Sequence, residues 1–372
     1  MTTELERAAR GARQAAAQAA ASGQSVVGIV GRDVPALLVV AAGARPFRIA
    51  PHDEPTDEAD AVMGRAVDRA AARVLAAALS GSLDFLTGIF VSRDSEASVR
   101  LFYTLQQLNR RGRFTVPVHL VDQVHQNRES TIRYNTYQLA QMWEAVERWT
   151  AVPITARSLW QAYVAVADVR GQLESARTER RANRRVGTVS LYGYRVACAL
   201  PPAESLPLLQ TALAEQSLAE QTRTDATSPF PVFLTGSAPL GDEVYRAVED
   251  AGANVVAEDH DWGDPILSDR LPANIDAPKD DLLRELALGR LRGAPASASS
   301  TMAARAEATR DGIRTSGARG LLSVVRPYDE APAWDWRRQS ELAGVPAVML
   351  RGDEAEDPDR IARAVESLRA AS

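Results

Sequence analysis

The feature that most constrains the fold is a repeated unit, in which a short apolar run passes through a polar loop into a helix. The clearest example covers positions 320–336, GLLSVVRPYDEAPAWDW, where the apolar run ends abruptly in Arg326-Pro327-Tyr328-Asp329. An apolar run followed by a helical pattern indicates a buried strand of a parallel sheet. The loop after such a strand lies at the carboxyl edge of the sheet, where open α/β sheets bind ligands.

The same unit recurs along both halves of the chain. Apolar runs that predict strands occupy positions 25–30, 47–50, 83–92, 116–120, 231–235, 254–257, 321–325 and 346–350. Helical patterns separate them, and this alternation predicts an α/β protein with two lobes, each built on a parallel, helix-covered sheet. The pattern between the lobes is helical with little strand character, so we expect a helical middle segment to join them.

This pattern divides the chain into four parts. We expect an N-terminal helix over 1–24, a first α/β lobe over 25–128, a helical connection over 129–185 and a second α/β lobe over 186–372. Within the first lobe, positions 62–80 predict one Ala-rich helix that Gly81 ends. The basic run at 177–185, RTERRANRR, is interpreted as a solvated helix end, with a contact to phosphate groups as the alternative.

Composition excludes several classes of protein. A chain of 372 residues with 45% hydrophobic and 24% charged residues is ordinary for a globular protein and has room for two cores. Its net charge of -5 gives no electrostatic case for nucleic-acid binding. No apolar run reaches the roughly 18 residues of a membrane span, and the N-terminus lacks the apolar centre of a signal peptide. We therefore expect a cytoplasmic protein with neither membrane nor nucleic acid as a partner.

Cysteine and histidine, which often bind metals or take part in catalysis, are sparse in this chain. The only cysteine, Cys198, lies in an apolar context and is expected to be a small buried residue. One cysteine cannot by itself hold an iron–sulfur cluster, which usually needs several thiolates. The four histidines show no metal-ligand spacing. The run at 258–261, EDHD, could hold a divalent ion, although a polar turn after a strand is the simpler interpretation.

Three strand-to-helix loops are candidates for one site: Ser92-Arg93-Asp94-Ser95, Thr235-Gly236-Ser237 and Arg326-Pro327-Tyr328-Asp329. Helix N-termini in such loops offer free backbone N–H groups and a partial positive charge, which suit carboxyl, thioester or phosphate oxygens. Gly236 permits close backbone approach, and Arg93 and Arg326 add positive charge. The alternative is that Ser, Asp and Gly serve here only as caps and turns.

Four stretches in this order resemble the 2-hydroxyacyl-CoA dehydratase D-component family and its benzoyl-CoA reductase relatives. They start at positions 26, 79, 230 and 317 and read VVGIVGRDVPALLVVAAGARPFRI, LSGSLDFLTGIFVSRDSEASVRLFYTL, FPVFLTGSAPLGDEVYRAVEDAGANVVAEDHDWGDP and GARGLLSVVRPYDEAPAWDWRRQSELAGVPAVMLRGD. The resemblance implies a two-lobed α/β subunit that pairs with a homologous subunit and handles a CoA thioester. It also implies a [4Fe-4S] cluster held by three cysteines per subunit, to which an ATP-driven activator delivers an electron.

The chain departs from the family at the positions of those cysteines. The resemblance places two of them at Arg93, just before Asp94, and at Tyr328, just before Asp329, and the third at about Asp68. An arginine side chain stays protonated and has no lone pair to offer a metal. We therefore expect that this chain binds no cluster in the family manner and carries no cofactor of its own.

If the chain lacks the cluster, the resemblance leaves three possible functions, and the third of them involves no catalysis. The chain is a cluster-free subunit that pairs with a homologue in a heterodimer or homodimer, or a repurposed enzyme acting on a CoA thioester or another acyl or carboxylate compound. The third alternative is a non-catalytic scaffold, in which Arg93 and Tyr328 fill the cluster cavity and Arg93 pairs with Asp68 or Asp329. Fold alone does not choose among the three.

The enzyme hypothesis assigns roles to the loop residues. Arg93 would bind an anionic oxygen and Tyr328 would donate a proton or a hydrogen bond. The candidate bases or orienting groups are Asp94, Asp329 and His260. The residues expected to contact substrate are Ser92, Ser95, Gly236, Ser237, Arg326 and Asp68.

Overall fold

Two parallel four-stranded sheets, both packed with helices, make up the chain. This structure is a computed structural model that describes residues 3–51, 54–184, 186–221, 228–268, 270–295 and 300–372. Within those residues the strands form one sheet in each half of the chain. The predicted fold class, two α/β lobes with parallel sheets, is therefore confirmed.

The first sheet belongs to the N-terminal half. Its strands are β1 (Val26–Val30), β2 (Arg45–Arg48), β3 (Gly88–Ser92) and β4 (Val118–Val121), in the order β2-β1-β3-β4. The helices of this half are α1 (Glu4–Ala21), α2 (Ala36–Ala41), α3 (Asp57–Met63), α4 (Arg69–Leu79) and α5 (Glu96–Arg110). The central strand β3 is buried at every position, as a parallel strand covered on both faces requires.

The second sheet repeats this arrangement. Its strands are β5 (Phe230–Gly236), β6 (Ala253–Glu258), β7 (Gly320–Val325) and β8 (Ala347–Arg351), in the order β6-β5-β7-β8. The strand order changes direction between β1 and β3 in one sheet and between β5 and β7 in the other. Such switch points open a crevice at the carboxyl ends of the strands, where ligands bind in open α/β sheets.

Helices between and after the sheets complete the fold. They are α6 (Glu129–Thr150), α7 (Ala156–Arg181), α8 (Gly187–Ala199) and α9 (Pro202–Gln221), followed by α10 (Glu243–Asp250), α11 (Lys279–Leu291), α12 (Met302–Ser316), α13 (Ala331–Leu342) and α14 (Pro358–Ala370). Helices α8 and α9 come before β5 and pack against α1 and α7, while α11 packs against α6. In the described ranges, none of these helices combines the length and the hydropathy needed to cross a bilayer.

Apolar cores lie on both faces of each sheet, and the alternation of side chains along the strands separates them. In β3, Ile89 packs into the core with α4 and α5, and Phe90 packs into the core with α2 and α6. In β7, Leu321 and Leu322 divide in the same way between two cores. Successive side chains of a strand point to opposite faces of the sheet, so a strand whose two faces are both covered by helices needs apolar residues at consecutive positions.

The predicted helix over 62–80 is wrong as a single element, because the chain breaks between α3 and α4. Gly64, with a φ of 87°, ends α3 in a conformation that L side chains rarely adopt. Asp68 then starts α4, and its Oδ1 accepts a hydrogen bond from the N–H of Ala70 at 3.0 Å. The break matters for function because it places Asp68 at the N-terminus of a helix that faces the second lobe.

Candidate functional site

The carboxyl edges of the two sheets face one cleft between the lobes. The loops after β1, β3, β5 and β7 line a cavity of about 150 Å³. This is the place that the switch points predict for a ligand. The predicted site residues that line the cleft are Asp68, Asp94, Ser95, Gly236, Ser237, His260, Arg326 and Asp329.

A buried ion pair joins the two lobes across this cleft. Arg326, in the loop after β7, donates from Nε to Oδ1 of Asp68 at 3.1 Å and from Nη2 to Oδ2 of Asp68 at 2.7 Å. Its Nη1 donates to the main-chain carbonyl of Ala238. Both charged residues are buried. Two parallel N–H···O bonds between guanidinium and carboxylate are the strongest geometry for such a pair, so the bridge fixes α4 against the second lobe.

A serine and a second carboxylate extend the pair within the second lobe. Ser237 donates from Oγ to Oδ2 of Asp329 at 2.7 Å and accepts from the N–H of Arg326 at 3.0 Å. Burial raises the pKa of Asp329, and the nearby guanidinium of Arg326 opposes that rise. Gly236 has a φ of 105°, and a Cβ there would collide with the carbonyl of Val324. Its role is therefore the close approach of β5 to β7, which lets Ser237 reach this network.

The loop after β3 contributes an aspartate that titrates near neutral pH. Asp94 is buried, and its carboxylate accepts from the N–H of Arg32 at 2.7 Å and from the hydroxyl of Ser92. Burial, with the neighbouring charges of Asp33 and Asp261, raises the pKa of Asp94 to about 6. Such a group can exchange a proton under physiological conditions, which is a property of acid–base residues.

Backbone geometry holds Asp94 in this position. Gly31, at the end of β1, has a φ of 88°, and a Cβ there would collide with Ser92 and Asp94. The next residue, Ser95, caps α5, because its Oγ accepts from the N–H of Ser98 at 3.0 Å. The hydrogen bonds of Asp94 thus tie β3 to β1 at the switch point.

A third carboxylate with a raised pKa, after those of Asp329 and Asp94, lines the cleft just after β6. Asp259 accepts from Oγ1 of Thr309 at 2.6 Å, and burial raises its pKa to about 6. The sequence had indicated the run at 258–261, which contains Asp259, only as a possible ion site or a polar turn. The described residues contain no group of three or more His, Cys, Asp and Glu side chains arranged to hold a metal ion. Its neighbour Glu258 instead belongs to a buried ion-pair network.

That network orients His260. Nε2 of His260 lies 2.8 Å from the hydroxyl of Tyr245, which donates to the carboxylate of Glu258. Because the hydroxyl proton points to Glu258, Nε2 carries the ring proton and donates to the Tyr245 oxygen. Nδ1 is buried, and no described residue makes a hydrogen bond to it. The Tyr245 contact thus fixes the orientation of the His260 ring beside the cleft.

Arg180 completes the network and corrects one interpretation. The predicted solvated helix end at 177–185, of which position 185 lies outside the described residues, is wrong for Arg180, which is fully buried. It donates to Oε1 of Glu258 at 2.8 Å and also to Asp264. Although burial raises the pKa of Glu258, Arg180 and His260 lower it to about 2. The carboxylate of Glu258 thus stays charged and available to Tyr245.

Arg93 and Tyr328 do not line the cleft. The Arg93 side chain is 56% exposed and donates to Asp122 at 3.2 and 3.3 Å. The expected pairing of Arg93 with Asp68 or Asp329 is therefore wrong, and Arg326 takes that place. The cause is alternation along an extended segment: Ser92 and Asp94 point inward, so Arg93 between them points outward.

Tyr328 lies on the outer surface beside the cleft. It is 55% exposed, has a φ of 63° and lines a groove with Arg69 and Arg73. A left-handed backbone at a bulky residue is uncommon, and here it turns the side chain away from Arg326 and Asp329. The expectation that Tyr328 fills the cleft is thus wrong.

The residues of the cleft do not fit a [4Fe-4S] cluster. Cys198, the only cysteine, lies in α8 and lines a different cavity. Of the positions where the resemblance places cluster ligands, Arg93 and Tyr328 point outward and Asp68 is held by Arg326. A carboxylate engaged in a bidentate ion pair does not replace three thiolates.

Sequence reasoning missed Asp33 and Arg180 as members of the charged networks, and it indicated Asp259 only as part of a possible ion site. Asp33 had a readable signal, since it lies in the loop after β1 at the switch point. It accepts from Nε of Arg290 and from Nε2 of His125, both at 2.5 Å, and although burial raises its pKa, the charge of Arg290 and the hydrogen bond from His125 lower it. Arg180 had no such signal, because its partners lie about eighty positions away in the chain.

Comparison with models of protein families matches residues 33–369 to the family described as 2-hydroxyglutaryl-CoA dehydratase, D-component. Comparison with curated proteins gives no significant match. The family match begins just after β1, spans both lobes and includes the loops after β3, β5 and β7 that line the cleft. The chain therefore belongs to the 2-hydroxyglutaryl-CoA dehydratase D-component family.

Proposed function

We propose that this chain is a cluster-free subunit of a 2-hydroxyacyl-CoA dehydratase-type complex, in which it pairs with a homologous subunit. The observation that carries the proposal is the buried pair of Asp68 and Arg326. It lies at the edge of the sheets where the family resemblance places a cluster ligand, and it links the lobes by charge. A subunit of this kind keeps the two-lobed shape for pairing and leaves redox chemistry to its partner.

Exposed aromatic side chains support a partner beside the cleft. Trp334, in the first turn of α13, is 71% exposed, and Tyr328 precedes it in the loop after β7. Tyrosine and tryptophan are enriched at protein interfaces because they bury a large area with few rotatable bonds. We also place the complex in the cytoplasm, which agrees with a chain that has a single cysteine.

Co-expression with a Cys-rich homologous subunit tests the pairing. We expect a one-to-one complex, and we expect Trp334→Ser to weaken it by about tenfold or more, since exposed tryptophans at interfaces are common hot spots. Trp160→Ser is the matched control, because Trp160 is 53% exposed on the distant helix α7. Elution of the two chains as separate species at micromolar concentration would contradict the pairing.

A second candidate is a cluster-free enzyme that moves protons on an acyl-CoA or carboxylate compound. It is favoured by a specific observation: Asp94 and Asp259, each with a pKa of about 6, line one cleft with His260. In this function Asp94 takes a proton from the carbon next to the carbonyl. Arg326 and Ser237 hold the loops in place, and Arg93 and Tyr328 have no part in the reaction.

Proton exchange separates the two candidates. An enzyme acting alone would exchange the α-protons of an acyl-CoA with deuterium in heavy water, and proton NMR would follow the loss of signal. Asp94→Asn should then slow exchange by about a hundredfold or more, as expected for loss of an acid–base group. Arg93→Ala should leave the rate unchanged, because Arg93 lies outside the cleft. Exchange that requires the homologous partner would favour the first candidate.

A further inference from the structure

A second cavity adjoins the cleft and lies between the first sheet and the helices that cover it. This apolar chamber has a volume of about 190 Å³, and its walls include Leu37, Leu139, Val166, Val169, Ala197 and Cys198. A dry apolar cavity of about 150 Å³ is enough to bind benzene. Gly31 and Arg48 line both the chamber and the cleft, so the two cavities meet there.

Arg48 brings an uncompensated charge to that meeting point. It lies at the end of β2, is 5% exposed, and stacks on Trp262 with its guanidinium carbon 4.0 Å from the ring centre. Its Nη1 donates to the carbonyl of Asp261 at 2.9 Å, and its Nε makes no hydrogen bond to any described residue. Among the described side chains, no carboxylate forms an ion pair with it. Burial of a cation without an anion is costly, so an oxygen from a ligand would complete its environment.

A second residue of the chamber has a buried polar atom without a partner among the described residues. Gln123 is buried and donates from Nε2 to the carbonyl of Asp33 at 2.7 Å. Because a carbonyl can only accept, this bond fixes the orientation of the amide. The Oε1 atom is then buried with no hydrogen-bond partner among the described residues. The chamber thus brings the guanidinium of Arg48 and the buried amide of Gln123 to walls that are mainly aliphatic.

We infer that the apolar chamber binds an apolar acyl group, whose carboxylate or thioester carbonyl oxygen accepts from Arg48. The acyl group comes either from a free monocarboxylate or from a CoA thioester whose CoA part lies in the cleft. Only the thioester source rests on the proposed function.

Isothermal titration calorimetry of the full chain with sodium octanoate tests the inference. We expect saturable binding at one site per chain, with acetate showing none because it cannot fill the apolar walls. Ala197→Trp, which fills the chamber, should abolish binding, whereas the matched Ala303→Trp, at an exposed position of α12, should retain it. Arg48→Leu should weaken octanoate by about tenfold or more, as loss of a charge-assisted hydrogen bond does. Absence of saturable binding, or equal affinity in Ala197→Trp, would overturn the inference.

Cys198 gives a readout that needs no variant. It is the only cysteine of the chain and lines the chamber. Saturating octanoate should slow alkylation of its thiol by N-ethylmaleimide by about fivefold or more, because the ligand would occupy the adjoining space. An unchanged rate at an octanoate concentration that saturates the calorimetric signal would place the ligand elsewhere and overturn the inference.

A competition experiment distinguishes the two sources of the acyl group, a free monocarboxylate and a CoA thioester. Octanoyl-CoA should displace octanoate if the thioester is the source, and CoA alone should not. Octanoate binding without displacement by octanoyl-CoA would leave the chamber as a site for free acids and would count against the proposed function. Binding of acetyl-CoA without any octanoate binding would overturn the inference and leave the proposed function standing.

Discussion

Replacement of Arg326 by methionine should strongly destabilise the chain. The change removes both hydrogen bonds to Asp68 and the bond to the Ala238 carbonyl, and it leaves the buried carboxylate of Asp68 and the half-buried carboxylate of Asp329 without their cation. Removing one partner of a buried ion pair typically costs about 3–5 kcal/mol. We expect Arg326→Met to lower the free energy of unfolding by about 4 kcal/mol on this basis.

A double-mutant cycle isolates the pair. Asp68→Asn should cost less than Arg326→Met, because asparagine still caps α4 in the position of Asp68. The double variant should be more stable than the sum of the single losses implies, with a coupling energy of about 2–3 kcal/mol, the upper part of the range for residues in contact. The assay is urea unfolding followed by circular dichroism and by tryptophan fluorescence, whose agreement checks for a single transition.

The corresponding loop of the first lobe supplies the matched control. Arg93 and Asp122 also form an ion pair, but the arginine side chain is 56% exposed. An exposed pair contributes about 0–1 kcal/mol, so the cycle of Arg93→Met and Asp122→Asn should show a coupling below about 1 kcal/mol. If the Asp68–Arg326 coupling is no larger than that of the control, the claim that this pair links the lobes is refuted.

Three further outcomes follow from the same geometry. The pKa values of Asp94 and Asp259 are raised from 3.8 to about 6 in the folded chain, so their contribution to stability is fully present below about pH 4 and is lost as pH rises to 6. Unfolding at several pH values should show a loss of up to about 3 kcal/mol per group between these pH values. Asp94→Asn and Asp259→Asn should each remove the part of this pH dependence that comes from the replaced residue. Gly31→Ala should cost about 2–4 kcal/mol in urea unfolding through its collision with Ser92 and Asp94, whereas Gly23→Ala, with the same φ of 88° and open space around it, should cost about 1 kcal/mol. Tyr328→Gly should raise the free energy of unfolding by up to about 1 kcal/mol, because it relieves backbone strain and the side chain is exposed.

Local pattern was enough to predict the sheets and the loops that meet at the cleft. The strand over 321–325 and its polar loop were readable because an apolar run and a helical pattern are properties of neighbouring residues. The chain break before α4 was missed because the Ala-rich pattern outweighed Gly64 and Asp68, although both are end signals for helices.

Side-chain direction and long-range charge pairing could not be read in the same way. Arg93 and Arg326 follow equivalent strands, yet one points to solvent and the other into the cleft. The difference depends on the register of each loop against its neighbours and on Asp68, which lies 258 positions from Arg326 in the chain. Arg180 is similar, because its burial depends on Glu258 and Asp264. A run of charged residues indicates a solvated surface only where no carboxylate from a distant part of the chain forms a buried ion pair with one of its members.

The content of iron after anaerobic reconstitution tests the central claim most directly. The purified chain is incubated with ferrous iron, sulfide and a thiol reductant, desalted, and assayed for bound iron and for absorbance near 400 nm, with Cys198→Ala as a control for iron held by the single thiol. We expect background iron in both proteins, because the cleft offers the Asp68–Arg326 pair where a cluster would need thiolates. About four irons per chain, the content of one [4Fe-4S] cluster, would contradict the account.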